Sequence, residues 1–156
     1  MIVIGVGNEL RRDDGAGPAV IGELRDRRLT GVTLAVSDGE PARLIDLWTG
    51  ADLAVVVDAV QTTSGEPGRV RELDSINGVH PGTSSSHALG PGAAMRLAEA
   101  LDRMPGRLRI YSIEGADFGL GPGLSAPVAQ AVTEVAQRIT TLARNAHQQP
   151  TGRPDG

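Results

Sequence analysis

The chain has 156 residues and a net charge of −4, it contains no cysteine, and all 15 of its basic residues are arginines. This length is typical of a single domain. The absence of cysteine excludes disulfides, thiolate metal ligands and a cysteine nucleophile, and the absence of lysine excludes a Schiff base or a P-loop lysine. An acidic chain with 2% aromatic residues also lacks the basic surface and stacking rings of nucleic-acid binders.

The first twenty residues combine a strand, a glycine loop and the start of a helix. The β-branched run at residues 2–4 predicts a strand, and Gly5, Gly7 and Asn8 follow it as a tight loop. Apolar residues at helical spacing predict a helix over 17–28. Open α/β sheets place their binding sites at such a junction of strand, glycine loop and helix.

Strand and helix patterns alternate along the rest of the chain, which indicates a mostly parallel sheet. The continuous apolar run at 53–57 is typical of a central strand. The short turn at 65–68 predicts that the strand at 69–73 runs antiparallel to the strand before it. We therefore expect a three-layer α/β fold with a twisted, mostly parallel five-stranded sheet, flanking helices and one antiparallel edge strand. The remaining strands are predicted at 32–36 and 107–113. One further helix is predicted over 88–104, a second begins at Pro41, and a third begins at Ser125.

We expect one domain over residues 1–145, followed by a polar, disordered tail at 146–156 that is rich in Pro and Gly. The N-terminus begins directly with the first strand and lacks the basic segment of a signal peptide. No apolar run approaches the roughly 18 residues of a membrane helix. These features predict a cytoplasmic protein that binds neither membranes nor nucleic acid.

Four acidic residues follow predicted strands or lie in the loops after them: Asp14, Asp38, Asp58 and Glu114. The carboxyl ends of parallel strands meet at one edge of a sheet, so we expect these side chains along the ligand-binding crevice. His87 ends the polar loop at 78–86 and can reach the same edge. Carboxylate and imidazole ligands without thiolates suit a hard or borderline divalent cation.

Each of these residues also has an ordinary structural interpretation. Asp13 and Asp14 precede a helix, where a carboxylate can cap free N–H groups, although one cap suffices. Asp38 can form a simple turn, and His87 can be an ordinary residue in the first turn of a helix. Asp58 is harder to explain in this way, because a carboxylate inside an apolar segment costs free energy unless it is paired or bound to a metal.

Dinucleotide binding is a competing interpretation of the glycine loop. Gly5 and Gly7 match the first two glycines of the Rossmann fingerprint, but the third is missing. Asp13 and Asp14 would also repel a pyrophosphate at the helix entrance, so the site favours a cation. The motifs of serine hydrolases and of common zinc proteases are absent. A non-catalytic, Rossmann-like nucleotide-binding module remains an alternative.

The combination of motifs resembles the hydrogenase maturation protease family, whose members remove the C-terminal extension of the NiFe-hydrogenase large-subunit precursor. The resemblance extends to about Leu142. The segments that carry it are 5–8, 13–17, 38–39, 57–59, 86–90 and 121–125. It implies a mainly parallel five-stranded sheet, in agreement with the strands predicted above.

The resemblance also implies a metal-binding trio of Asp14, Asp58 and His87 that recognises nickel already inserted in the substrate. No permanently bound cofactor is then required, although nickel, zinc or cadmium suits the site. Our hypothesis is an endopeptidase in which Asp38 transfers protons.

Three residues complete the hypothesis: Gly7, Asn8 and Gly39 are expected to bind the substrate backbone. Some family members have a glycine where this chain has Glu40. A metal-dependent chaperone that binds the hydrogenase precursor without cutting it is a second alternative.

Overall fold

The chain alternates strands and helices in the computed structural model, which describes residues 1–61, 65–74 and 91–148. A short 3₁₀ turn, Arg12–Gly15, separates the first strand from the first helix. The strands are β1 (Ile2–Val6), β2 (Thr33–Ser37), β3 (Leu53–Val60), β4 (Val70–Asp74) and β5 (Arg107–Glu114). The helices are α1 (Ala16–Asp26), α2 (Pro41–Trp48), α3 (Pro91–Leu101) and α4 (Ala126–Gln148).

The five strands form one sheet in the order β2-β1-β3-β5-β4. The pairings β1–β2, β1–β3 and β3–β5 are parallel, and β4 pairs with β5 in the antiparallel direction. This confirms the predicted fold class, including the antiparallel edge strand. The edge strand β4 runs antiparallel to β3, as predicted, although β5 lies between β3 and β4 and the two strands do not pair directly.

Side chains of successive strand residues point to opposite faces of the sheet, so each strand contributes to two apolar cores. Val55, Val57 and Tyr111 belong to the core against α1 and α4. Ala54 and Val56 belong to the second core, which packs against α2 and α3. Two helical layers around one sheet give the predicted three-layer arrangement.

Asp58 lies inside β3, two residues before its last residue, Val60. The sequence prediction ended the apolar run at Asp58, but the strand continues because Val60 still pairs with β5. By strand alternation, Asp58 shares the face of Ala54 and Val56 and therefore opens towards the side of α2 and α3.

The C-terminal helix begins after Ser125, as predicted, and extends through Gln148. Residues 146–148 are therefore helical, although the sequence assigned them to the tail. Residues 149–156 and the predicted helix start at 88 lie outside the described residues. Within the described part of the chain, no helix combines the length and the apolar character that a membrane crossing requires.

Candidate active site

The glycine loop after β1 brings the 3₁₀ turn close to the end of the strand. Gly7 has a φ of +140°, a conformation that favours glycine. A Cβ at Gly7 would collide with the carbonyl oxygen of Asp14. The N–H of Gly7 donates to the carbonyl of Ser37, which ties the loop to the end of β2 at 3.0 Å. Glycine at this position therefore lets the backbone of Asp14 pack directly against the first strand.

A second glycine sets the distance between helix α1 and the sheet. A Cβ at Gly17 would lie 2.5 Å from the carbonyl oxygen of Val6 and 2.7 Å from that of Val57. The helix start thus lies directly against the two strands whose ends border the candidate site. This close packing places the 3₁₀ turn against β3, the strand that carries Asp58.

The Asp14 carboxylate is held by the glycine loop itself. Its Oδ2 accepts a 2.9 Å hydrogen bond from the backbone N–H of Asn8. The Asn8 side chain accepts in turn from the N–H of Leu10 at 2.9 Å. Asp14 therefore does not cap α1, which was the structural alternative, but points back towards the end of β1.

The carboxyl group of Asp58 has a raised pKa. Burial is the larger cause and the negative charge of Asp14 the second, and together they raise the pKa of Asp58 from an ordinary 3.8 to about 7. The backbone N–H of Ala59 opposes this shift. The two carboxylates predicted to share one site are therefore close enough to repel each other. Such a pair favours a bound proton or a cation over two free charges.

The third member of the predicted trio, His87, lies outside the described residues. Among residues 1–61, 65–74 and 91–148, no three His, Cys, Asp or Glu side chains are grouped to hold a metal ion. The described part of the site is therefore a pair of oxygen donors, Asp14 and Asp58. Oxygen donors of this kind are compatible with a hard or borderline divalent cation when an imidazole completes the set.

Asp38 is exposed and takes part in the turn that leads into α2. Its Oδ1 accepts from the N–H of Glu40 at 3.0 Å, as in an Asx turn. Gly39 has a φ of +92° and donates its N–H to the Ser37 hydroxyl at 3.2 Å. These contacts agree with the turn interpretation. The proposed proton transfer by Asp38 and substrate binding by Gly39 stay predictions.

Glu40 has a clear structural task. Its carboxylate accepts hydrogen bonds from the N–H groups of Ala42 at 3.2 Å and Arg43 at 3.0 Å, so it is the N-cap of α2. Pro41 follows as the first helical residue, where its missing N–H costs nothing. Glu40 therefore stabilises the start of its own helix.

Glu114 belongs to the structural framework. Its side chain is buried, and its Oε2 accepts from the N–H of Glu66 at 2.6 Å. Its Oε1 lies 3.4 Å from a guanidinium nitrogen of Arg71. This strand-end carboxylate fastens the turn before β4 to the end of β5, which distinguishes it from Asp14 and Asp58.

Asp13 is the residue of this region whose importance sequence reasoning underestimated. It is fully buried, and its carboxylate accepts four hydrogen bonds from the segment between β5 and α4. Burial alone would raise the pKa of Asp13, but these hydrogen bonds outweigh burial and lower it. Two adjacent carboxylates repel each other, so each needs its own hydrogen-bond donors or a cation. The pair Asp13–Asp14 was therefore the sequence signal that the two side chains have different partners.

A family model described as hydrogenase maturation protease matches residues 19–142, a stretch that includes Asp38, Asp58 and His87 and begins after Asp14. The search of curated protein sequences gives no significant match.

Two solved structures illustrate the similarity of fold. The hydrogenase maturating endopeptidase HybD from E. coli has a TM-score of 0.76 at 20% identity, over 93% of this chain and 92% of that chain. The NiFe hydrogenase maturation protease HybD from Thermococcus kodakarensis has a TM-score of 0.73 at 26% identity, over 91% of this chain and 97% of that chain.

The family match covers most of the chain and confirms the resemblance found in the motifs. The structural similarities, at low identity, confirm the fold. This protein is therefore a member of the hydrogenase maturation protease family, a family of peptidases.

Proposed function

We propose that this protein is the endopeptidase that removes the C-terminal extension of a NiFe-hydrogenase large-subunit precursor after nickel has been inserted. Membership of the family supports the reaction class. The names of the similar solved structures, hydrogenase maturation proteases from E. coli and Thermococcus kodakarensis, support the class of substrate. The nickel belongs to the substrate, so no permanent cofactor is part of the proposal.

The observation that carries the proposal is the electrostatic coupling between Asp14 and Asp58. Burial and the Asp14 charge raise the pKa of Asp58 to about 7, so the second charge in this pair is unfavourable unless a cation neutralises it. A nickel ion presented by the precursor supplies that charge. His87 is the proposed third ligand, since an imidazole with two carboxylates matches the preferences of such a cation.

The chemistry follows from this arrangement. Asp14 and Asp58 would hold the nickel of the substrate, which would supply Lewis-acid polarisation of the scissile carbonyl or of an attacking water. Asp38 is the proposed proton carrier, because its exposed carboxylate follows β2 at the same end of the sheet. The glycine loop and Asn8 are proposed to position the substrate backbone beside the carboxylates.

The test compares nickel-loaded and nickel-free precursor. The purified protein is incubated with each form of the large subunit, and the mass of the large subunit is followed. We expect loss of a C-terminal peptide from the nickel-loaded form alone. Equal cleavage of both forms would refute nickel recognition, and binding without shortening would favour an assembly chaperone.

Two substitutions test the proposed nickel ligands in the same assay, and a third is the control. Asp58→Asn and His87→Ala are expected to reduce cleavage by at least a hundredfold, because each removes a proposed ligand of the nickel. Asp52→Asn is the matched control, since Asp52 is exposed and precedes the opposite end of the same strand. Full activity of Asp58→Asn would remove this residue from the mechanism.

A further inference from the structure

The Asp13 carboxylate connects two distant segments of the chain. Its four donors are the N–H groups of Ala116 at 2.8 Å, Asp117 at 3.0 Å and Ser125 at 2.7 Å, together with the Ser125 hydroxyl at 2.9 Å. All of them lie in residues 115–125, the segment between β5 and α4, which we call the β5–α4 loop. One buried side chain therefore fixes both ends of that loop.

The backbone reinforces the same connection. Asp13 donates its N–H to the carbonyl of Asp117, and Arg12 donates its N–H to the carbonyl of Gly121, each at 2.9 Å. Gly121 donates in return to the carbonyl of Leu10 at 2.8 Å. The segment that precedes Asp14 is thus bound to the β5–α4 loop over several consecutive residues.

The 3₁₀ turn needs such support because its own conformation is unfavourable. Arg12 has a φ of +46°, which costs free energy for a residue with a side chain. The turn has four residues and no side-chain N-cap. Short 3₁₀ segments gain little from their own hydrogen bonds. The contacts with the β5–α4 loop therefore determine where Asp13 and the following residue lie.

Asp14 follows Asp13 directly and depends on the same turn. Its N–H donates to the carbonyl of Arg11 at 3.0 Å, and its carboxylate accepts from Asn8. We propose that Asp13 is a positioning residue: by fastening the 3₁₀ turn to the β5–α4 loop, it holds the Asp14 carboxylate in the orientation that engages the substrate's cation. The last part of this inference rests on the proposed function.

Glu114 provides a matched control within the same molecule. It is also a buried carboxylate at this end of the sheet, and it also accepts a backbone N–H from a loop, that of Glu66. That loop precedes β4 and does not contain Asp14. Asp13→Asn and Glu114→Gln therefore make the same chemical change at two comparable positions, of which one supports Asp14.

The experiment measures two properties of each folded variant. Amide hydrogen exchange of Asn8, followed by NMR, reports on the hydrogen bond between Asn8 and Asp14. Calorimetry with Cd²⁺ reports on the cation affinity of the site. We expect Asp13→Asn to speed exchange at Asn8 at least tenfold and to weaken Cd²⁺ binding at least tenfold. Glu114→Gln is expected to speed exchange at Glu66 and to leave Asn8 and Cd²⁺ affinity unchanged.

The inference would be overturned if the Asn8 amide exchanged at the wild-type rate in Asp13→Asn. It would also be overturned if Glu114→Gln sped exchange at Asn8 and weakened Cd²⁺ binding as much as Asp13→Asn, because that result would indicate general destabilisation. If Asp13→Asn does not fold, Ser125→Ala replaces it. That variant removes one of the four donors and is expected to speed exchange at Asn8 a few-fold, and an unchanged rate would refute the proposal. Failure of the wild-type protein to bind Cd²⁺ would count against the proposed cation site alone, because exchange at Asn8 still decides the role of Asp13.

Discussion

The backbone N–H of Asn8 donates a 2.9 Å hydrogen bond to Oδ2 of Asp14, six residues further along the chain. The carbonyl of Asn8 accepts from Arg11, and its Oδ1 accepts from Leu10. Asn8 is therefore mainly a support for the loop that orients Asp14. We expect its Nδ2 amide to be the group that contacts a substrate backbone.

The first prediction concerns stability and pH. The pKa of Asp58 is about 7 in the folded protein and 3.8 in the unfolded chain. Between these values the folded state keeps a proton that the unfolded chain has released, so stability falls as the pH rises through this window and is constant above it. Asp58→Asn removes this penalty. We expect it to stabilise the protein at pH 8 by up to about 4 kcal/mol, the full value of the shift, which corresponds to roughly 8–16 °C in Tm.

Calorimetric melting at pH 4 and pH 8 checks this expectation. The gain of Asp58→Asn should be small at pH 4, because this pH is close to the ordinary value of 3.8 and the unfolded chain has released only part of its proton there. Asp52→Asn should change little at either pH, because Asp52 is exposed. A Tm for Asp58→Asn that is lower than wild type at pH 8 would contradict the predicted repulsion with Asp14.

The second prediction concerns competition between protons and a cation. Because Asp58 must lose its proton to bind a metal, we expect Cd²⁺ affinity to fall by up to tenfold per pH unit below about 7. Titration calorimetry between pH 5.5 and pH 8 measures the slope. Asp58→Asn should bind weakly at every pH. An affinity that is independent of pH in the wild-type protein would exclude Asp58 from the cation site.

The third prediction compares two glycines of helix α1. A Cβ at Gly17 would press against backbone oxygens of Val6 and Val57, whereas a Cβ at Gly22 would have nothing within 4 Å. Gly17→Ala is therefore expected to destabilise by about 1–3 kcal/mol through overpacking. Gly22→Ala is expected to stabilise by about 1 kcal/mol through helix propensity. Opposite shifts in Tm support the close packing of α1 on the sheet, and equal shifts would refute it.

The fourth prediction concerns the N-cap of α2. Glu40→Ala removes the acceptor of the Ala42 and Arg43 N–H groups and should destabilise the protein by about 1 kcal/mol. Glu40→Gln keeps an acceptor oxygen and should lose less. Urea unfolding measures both. We expect Glu40→Ala to keep wild-type cleavage of the precursor, and a large loss of cleavage without a change in stability would give Glu40 a role in the site.

Much of the fold was predictable because its signals are local. The apolar run around Val55 identified a strand buried on both faces, and Pro41 marked the start of α2 correctly. The position of β5 between β3 and β4 was not predictable, since strand order depends on packing between distant segments. The extension of β3 past Asp58 was missed for a related reason: its continuation depends on pairing with β5.

The site was predictable in part. The structure brings Asp14 and Asp58 together, as expected for carboxylates at the ends of parallel strands. The sequence could not separate Asp13 from Asp14, because the donors of Asp13 lie in a loop more than a hundred residues away. The assignment of His87 as a ligand stays a prediction that rests on the family resemblance.

The bond between Asp13 and Ser125 spans 112 residues and so sets an order of events during synthesis. When the first strand and the 3₁₀ turn leave the ribosome, the turn has its local contacts with Asn8 and Arg11 but none of its partners in the β5–α4 loop. Those partners emerge only after the last strand of the sheet has been made. A growing chain therefore carries an unassembled site. We expect peptidase activity to begin only after the β5–α4 loop has been made and has bound the 3₁₀ turn.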